Sequence, residues 1–223
     1  MAIEPNRAPV PLLLKILLTV FVVVLVSQYW KNYGPANFLW FCDFGLVMTA
    51  LAVWVESPLL ISMEALALTF PQILWTADFL SGGNIVGFSR YMFKHELPIS
   101  TRALSTFHLW LPLILVWLVW RLGYDRRAFW LQVLVSTALL LACYLLTDPR
   151  HPPAGFSAAA VNVNRVFGLE EARVQTAMHP VLFLAITIAF YPVCIYVPTH
   201  LLFKRIFRVP RPTQPQADSL SPT

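Results

Sequence analysis

Charge is scarce in this 223-residue chain: Asp, Glu, Lys and Arg make up 12% of it, about half of the roughly 25% usual for a soluble domain. With 58% hydrophobic residues, among them 16 Phe and 8 Trp, such a chain has a surface suited to lipid rather than water. Glycine is sparse as well. The 8 Gly and 18 Pro rule out a collagen-like or low-complexity chain. Only Cys42, Cys143 and Cys194 carry thiols. They are odd in number, widely spaced and set in apolar runs, which argues against a disulfide framework. Zinc-type Cys/His spacing is missing, as are His-x-x-x-His and Glu-x-x-His, so no metal and no cofactor is expected. The absence of a Walker loop, a dinucleotide fingerprint, a Gly-x-Ser-x-Gly elbow and a haem signature disfavours an ATPase, a Rossmann enzyme and a c-type cytochrome.

What the chain does have is long apolar runs. Six lie near 12–30, 36–55, 58–79, 102–122, 128–147 and 179–203, close to the ~20 residues a helix needs to cross ~30 Å of hydrocarbon. They predict an all-α, polytopic membrane helix bundle of about six transmembrane helices, residues 1–208, followed by a Pro-rich, disordered tail at 209–223. Glu56-Ser57-Pro58 joins the second and third runs so tightly that these helices must be antiparallel neighbours. Lys and Arg flank the runs as topology determinants do, which makes membrane lipids the expected partners and gives no support to nucleic acid. With six spans, Arg7, Lys15, Arg121, Arg126, Arg127, Lys204, Arg205, Arg208 and Arg211 share one side, against seven basic residues on the other. The bias puts both termini in the cytoplasm, and the protein in a bacterial inner membrane. The first run lacks a small-x-small cleavage site and reads as a retained helix.

A charge at the bilayer centre costs about 2.5–3.5 kcal/mol on the insertion scale, so each ionisable residue in a span is a candidate for function. On the third span Glu64, Pro71 and Asp78 recur at seven-residue intervals and stay within about 40° of one another around the helix. Gln72 and Trp75 flank that face. On the fourth, Thr101, Ser105, His108 and Pro112 are spaced +4, +3, +4, which stacks them on one stripe opposite lipid-like residues. Asn37, Trp40 and Asp43 form a polar face at the start of the second span, with Cys42 at its edge. These residues suit a pocket for a small molecule or an acyl lipid, with His108 as base or hydrogen-bonder. Each also has a plainer reading, in which polar side chains satisfy one another and hold the bundle together. Cys42 taken alone reads as a small buried hydrophobe.

Cys42 on the second span, Pro71 on the tightly linked third, His108 on the polar fourth and the Asn164-Arg165-Val166-Phe167-Gly168 segment together resemble the transmembrane protein 164 family and its bacterial relatives. The resemblance covers roughly residues 35–170. It implies a polytopic protein engaged in acyl transfer onto phospholipid, with Cys42 as the acyl-accepting thiol and His108 as its base. The family pattern has a histidine two residues before the cysteine, where this chain has Trp40.

Three functions are therefore expected in competition. One is a lipid-handling enzyme with an interior lined by Asn37, Asp43, Glu64, Asp78 and His108, acting by acyl transfer through Cys42 or by lipid hydrolysis through a hydroxyl such as Ser105 or Thr106. The second is a proton-coupled transporter or small-molecule binding protein using the same carboxylate–His stripe as a proton or solute site. The third is a non-catalytic membrane subunit or assembly factor docking through residues 80–101.

Overall fold

The computed structural model describes residues 8–93, 97–151, 153–156, 161–170 and 173–207. The tail expected to be disordered at 209–223 lies outside the described residues, as do Arg7, Lys94, His95, Arg208 and Arg211. The described residues contain helices and no strand. Their α-helices are α1 (Leu12–Tyr33), α2 (Phe41–Val55), α3 (Pro58–Leu80), α4 (Ile99–Ser105), α5 (Phe107–Leu122), α6 (Ala128–Leu146), α7 (Pro180–Phe190) and α8 (Val197–Ile206). Five continuous or nearly continuous stretches are long and apolar enough to cross a bilayer: α1, α3, α4–α5, α6 and α7–α8. This all-α architecture is compatible with a polytopic membrane protein.

The second expected span, 36–55, differs. Gly34 turns the chain at φ 79°, Pro35–Leu39 forms a 3-10 turn, Trp40 is extended, and the α-helix starts only at Phe41. Its 15 residues reach about 22 Å at 1.5 Å each, short of ~30 Å. The Gly-Pro pair explains this: glycine takes the positive φ, and proline pre-sets a tight turn in place of a continued helix. The fourth span starts earlier than expected, at Ile99, and is broken at Thr106. The sixth runs on to Ile206 through a π-helical turn at Tyr191–Tyr196. Pro192 and Pro198 lack the N–H groups that would close on residues 188 and 194, and the helix widens between them.

α3 is the axis of the bundle. It packs against α2, α5, α6, the π-turn and α8, and 61% of its most apolar window is buried against 17% for α1 and for α7–α8. Small residues bring α2 and α3 close: Gly45, Thr49, Ala50 and Ala52 on one, Ser62, Ala65 and Ala67 on the other are all buried. In a membrane, where lipid competes equally for apolar surface, such close backbone contact is a main source of helix association.

At the α2–α3 link, Glu56 sits in the left-handed region at φ 49°. Its carboxylate accepts from the Val10 N–H and from Lys15 Nζ at 2.6 Å, tying α1 to the hairpin. Arg121 at the end of α5 donates to the carbonyls of Ala8 and Pro9 beside it. The hydrogen bond from Lys15 holds the Glu56 carboxyl below its usual range. A depressed folded-state value means that the pair's stabilisation is complete above the unfolded carboxyl value of about 4.3 and is lost as pH falls through the folded one. Thermal unfolding of wild type against Glu56→Gln should therefore differ at neutral pH and converge below about pH 4; equal differences at every pH would contradict the pairing.

Candidate functional site

The break in the fourth span builds the site. At Thr106 the chain tightens, and the Leu109 N–H bonds to the Thr106 carbonyl instead of the Ser105 carbonyl. The freed Ser105 carbonyl accepts from His108 Nδ1 at 2.7 Å. That bond fixes the neutral tautomer with its proton on Nδ1 and its lone pair on Nε2. Pro112, four residues on, has no N–H for the His108 carbonyl, which instead accepts from Thr76 Oγ1 on α3. The imidazole stacks on Trp75 with ring centroids 4.4 Å apart. Two local defects, Thr106 and Pro112, thus set the histidine against the central helix.

Ser105 connects His108 to α1. Its hydroxyl is 2.6 Å from the Tyr29 hydroxyl on α1. Tyr29, and Tyr91 in the 3-10 turn at Arg90–Phe93, lie within electrostatic reach of Asp43, and Tyr91 within reach of Cys42 as well. Asn37 Nδ2 donates to Asp43 Oδ2 at 3.0 Å, and the Cys42 thiol approaches the same oxygen at 3.8 Å. Asp43 Oδ1 is buried and has no hydrogen-bond partner. Asn37, Cys42 and Asp43 thus form one hydrogen-bonded group at the start of α2, and Tyr29, Ser105 and His108 a second at the α4–α5 break. Cys42 and His108 share no hydrogen bond: the thiol turns to Asp43 and the imidazole to Ser105.

Tyr29 and Tyr91 were not among the candidates read from the sequence. Tyr29 had a signal, because Leu18, Leu25 and Tyr29 are the buried residues of α1 and their +7, +4 spacing marks one stripe. Tyr91 had none beyond its place in an aromatic-rich connection.

The remaining candidates lie elsewhere. Asp78, at the end of α3, is fully buried and takes five hydrogen bonds: from the N–H groups of Ile85, Val86, Gly87 and Ser89 and from the Ser89 hydroxyl. It anchors the loop after α3, and those donors offset the unfavourable placement of a carboxylate at a helix C-terminus. Its 14-residue separation from Glu64 amounts to about 21 Å along the helix, so the shared face is not a shared pocket. Glu64 lies deeper, against Gly45 of α2, with Oε1 buried and unpartnered. Both amide atoms of Gln72 are likewise buried without a partner. Trp40 packs toward Cys143 and Val163 rather than into the cluster.

The Asn162–Gly168 segment closes this end of the bundle. Asn164 Oδ1 accepts from the Phe41 N–H, capping α2, while its Nδ2 donates to the Leu39 carbonyl. A residue 123 positions away in sequence thus does the work of an N-cap. Arg165 extends from it over the Phe88 ring, 4.9 Å from the centroid, joining the two connecting segments.

No protein-family model, curated protein or solved structure matches the chain.

Asp78→Ala should leave these five donors short of their acceptor, costing on the order of 3 kcal/mol or more. The checks are thermal unfolding in detergent and protease cleavage within residues 82–89. Unchanged stability and an uncut loop would contradict the anchoring role.

Proposed function

We propose that this polytopic membrane protein binds and moves a small cationic solute, such as a protonated or quaternary amine, at the cluster around Asp43. The observation that carries this reading is the unpartnered, buried Oδ1 of Asp43. No Lys, Arg or His forms an ion pair with this carboxylate among the described residues. At membrane depth an unpaired carboxylate is expensive. It is stable when it carries a proton or when a cation sits against it. Tyr29 and Tyr91 lie within electrostatic reach of it, and aromatic rings attract ammonium groups most strongly where water is excluded. Asn37 and Cys42 hold one oxygen, leaving the other for the incoming charge. The solute exchanges for the proton that Asp43 carries when the site is vacant. A plasma membrane, the bacterial inner membrane, is the setting in which such an exchange has a driving force.

Lipid handling is the second reading, favoured by one observation: Cys42 and His108 belong to two groups linked by Tyr29, which bonds to Ser105 and lies within electrostatic reach of Asp43. Acyl transfer would require the thiol to leave Asp43 and give its proton to His108 Nε2, the thiolate to attack the ester carbonyl of a phospholipid, and the imidazolium to return that proton to the departing lysolipid alkoxide, leaving a thioester on Cys42.

Thermal stabilisation of the purified protein by a graded series of primary to quaternary amines separates the two. At a hundredfold excess over Kd, binding should add about 2.7 kcal/mol to stability, and Asp43→Asn should abolish the gain. Absence of stabilisation by any amine would refute the solute reading. Turnover of labelled phospholipid that is lost in both Cys42→Ala and His108→Ala would put the enzyme in its place.

A further inference from the structure

Glu64 stands apart from the Asp43 cluster, and the site around it is built from other elements. Its carboxylate oxygen Oε2 rests where a Cβ at Gly45 would stand, 2.5 Å from that position, with Leu68 Cδ1 at 2.6 Å. A glycine inside α2 costs roughly 1 kcal/mol against alanine, and here it makes the space for this carboxyl group. Tyr196, the last residue of the π-turn, is also buried and within electrostatic reach of Glu64. Gln132 Nε2 on α6 donates to the Tyr196 hydroxyl at 3.2 Å. A π-turn inside a helix is the kind of defect found at functional positions.

We propose that Glu64 is a second, separate proton-binding site of the protein, its carboxyl group docked on Gly45 of α2 with one oxygen left without a partner. Protonation forms an O–H bond at Oε1, the oxygen without a partner. The carboxylate and a hydronium ion give a carboxylic acid and water, and the site gains one positive charge. The proposal supplies the driving ion for the solute reading, which gives it its purpose, yet it rests on different residues.

A proton fits better than a metal ion. Glu64 is the sole carboxylate there, and no group of three His, Cys, Asp or Glu side chains able to hold a metal occurs among the described residues. Among the described residues no cation pairs with it. From α2, Asp43 is two residues from Gly45, about 200° around the helix and so on the other edge. From α5 come the buried leucines Leu111, Leu115 and Leu118, and from α6 the neutral Gln132 and Ser136. From α8, Lys204 and Arg205 are exposed at the helix end, and His200 is engaged with Tyr124, Nδ1 to hydroxyl, at 2.6 Å. Lys15 is paired with Glu56.

His200, one helical turn beyond Tyr196 in sequence, bonds through Nδ1 to the hydroxyl of Tyr124 in the α5–α6 connection.

The test is reaction of the full chain, reconstituted in phospholipid vesicles, with the membrane-soluble reagent dicyclohexylcarbodiimide. The reagent adds to protonated carboxyl groups in apolar surroundings and leaves an N-acylurea that peptide mass spectrometry locates. An adduct is expected at Glu64, forming more slowly as pH rises. It should be absent in Glu64→Gln and altered in rate by Gly45→Ala, which displaces the carboxyl group. Labelling at Asp43 is read in the same spectra, so the two sites are scored separately: Glu64 should still react in Asp43→Asn even if no amine binds. Wild-type protein that is folded and monodisperse yet gives no adduct at Glu64 at any pH, or gives one at a pH-independent rate, overturns the proposal.

Discussion

Hydrocarbon offers a polar group nothing to bond with, and this chain places Glu64, Thr69, Gln72 and Asp78 on one helix. A helix with that content cannot face lipid on all sides. α3 accordingly occupies the axis, while α1 and the α7–α8 span, nearly free of buried polar groups, take the rim. Everything else follows from enclosing it. Small residues on α2 let the two backbones approach, the α4–α5 break sets His108 against Trp75, and α6 brings Gln132 to the π-turn. The core is therefore polar at chosen depths and apolar between them.

Interruptions of regular helix generate the chemistry. Each missing N–H or broken turn releases a carbonyl that must find another donor. Pro112 releases the His108 carbonyl to Thr76, the turn at Thr106 releases the Ser105 carbonyl to the imidazole, and the short start of α2 leaves the Phe41 N–H and the Leu39 carbonyl to Asn164. These replacement bonds are made by side chains from distant parts of the sequence, which fixes the relative positions of α2, α3 and α5. Asp43, Glu64, Thr69, Gln72 and Arg102 stand out against this accounting, because each keeps at least one buried side-chain atom without a partner.

The fold class was legible because it depends on composition and run length alone. The inward direction of Ser105 and His108 was legible too, since the +4, +3 spacing fixes a helix face whatever packs against it. Depth was not. Glu64 and Asp78 share a face, yet the rise per residue separates them, and the partners of Asp78 are backbone N–H groups of the following loop that no side-chain pattern announces. The shortness of α2 was masked by Phe38, Leu39 and Trp40, which extend the apolar run although Gly34-Pro35 had already signalled a turn. Tyr91 entered the site from a connecting segment, where helical periodicity carries no information.

Taken together, the described residues hold two carboxyl groups with unpartnered oxygens, Asp43 and Glu64, on opposite edges of α2 and neither of them in an ion pair. The account stands on both being neutral acids when no solute is bound. Infrared difference spectroscopy on bilayer-reconstituted protein measures this directly, through the carbonyl stretch of protonated carboxyl groups and its loss in Asp43→Asn and Glu64→Gln. The account predicts two such bands, one removed by each substitution and both diminishing as pH is raised. A spectrum with no carboxylic acid band at neutral pH, so that both groups are ionised in the resting bundle, would contradict it.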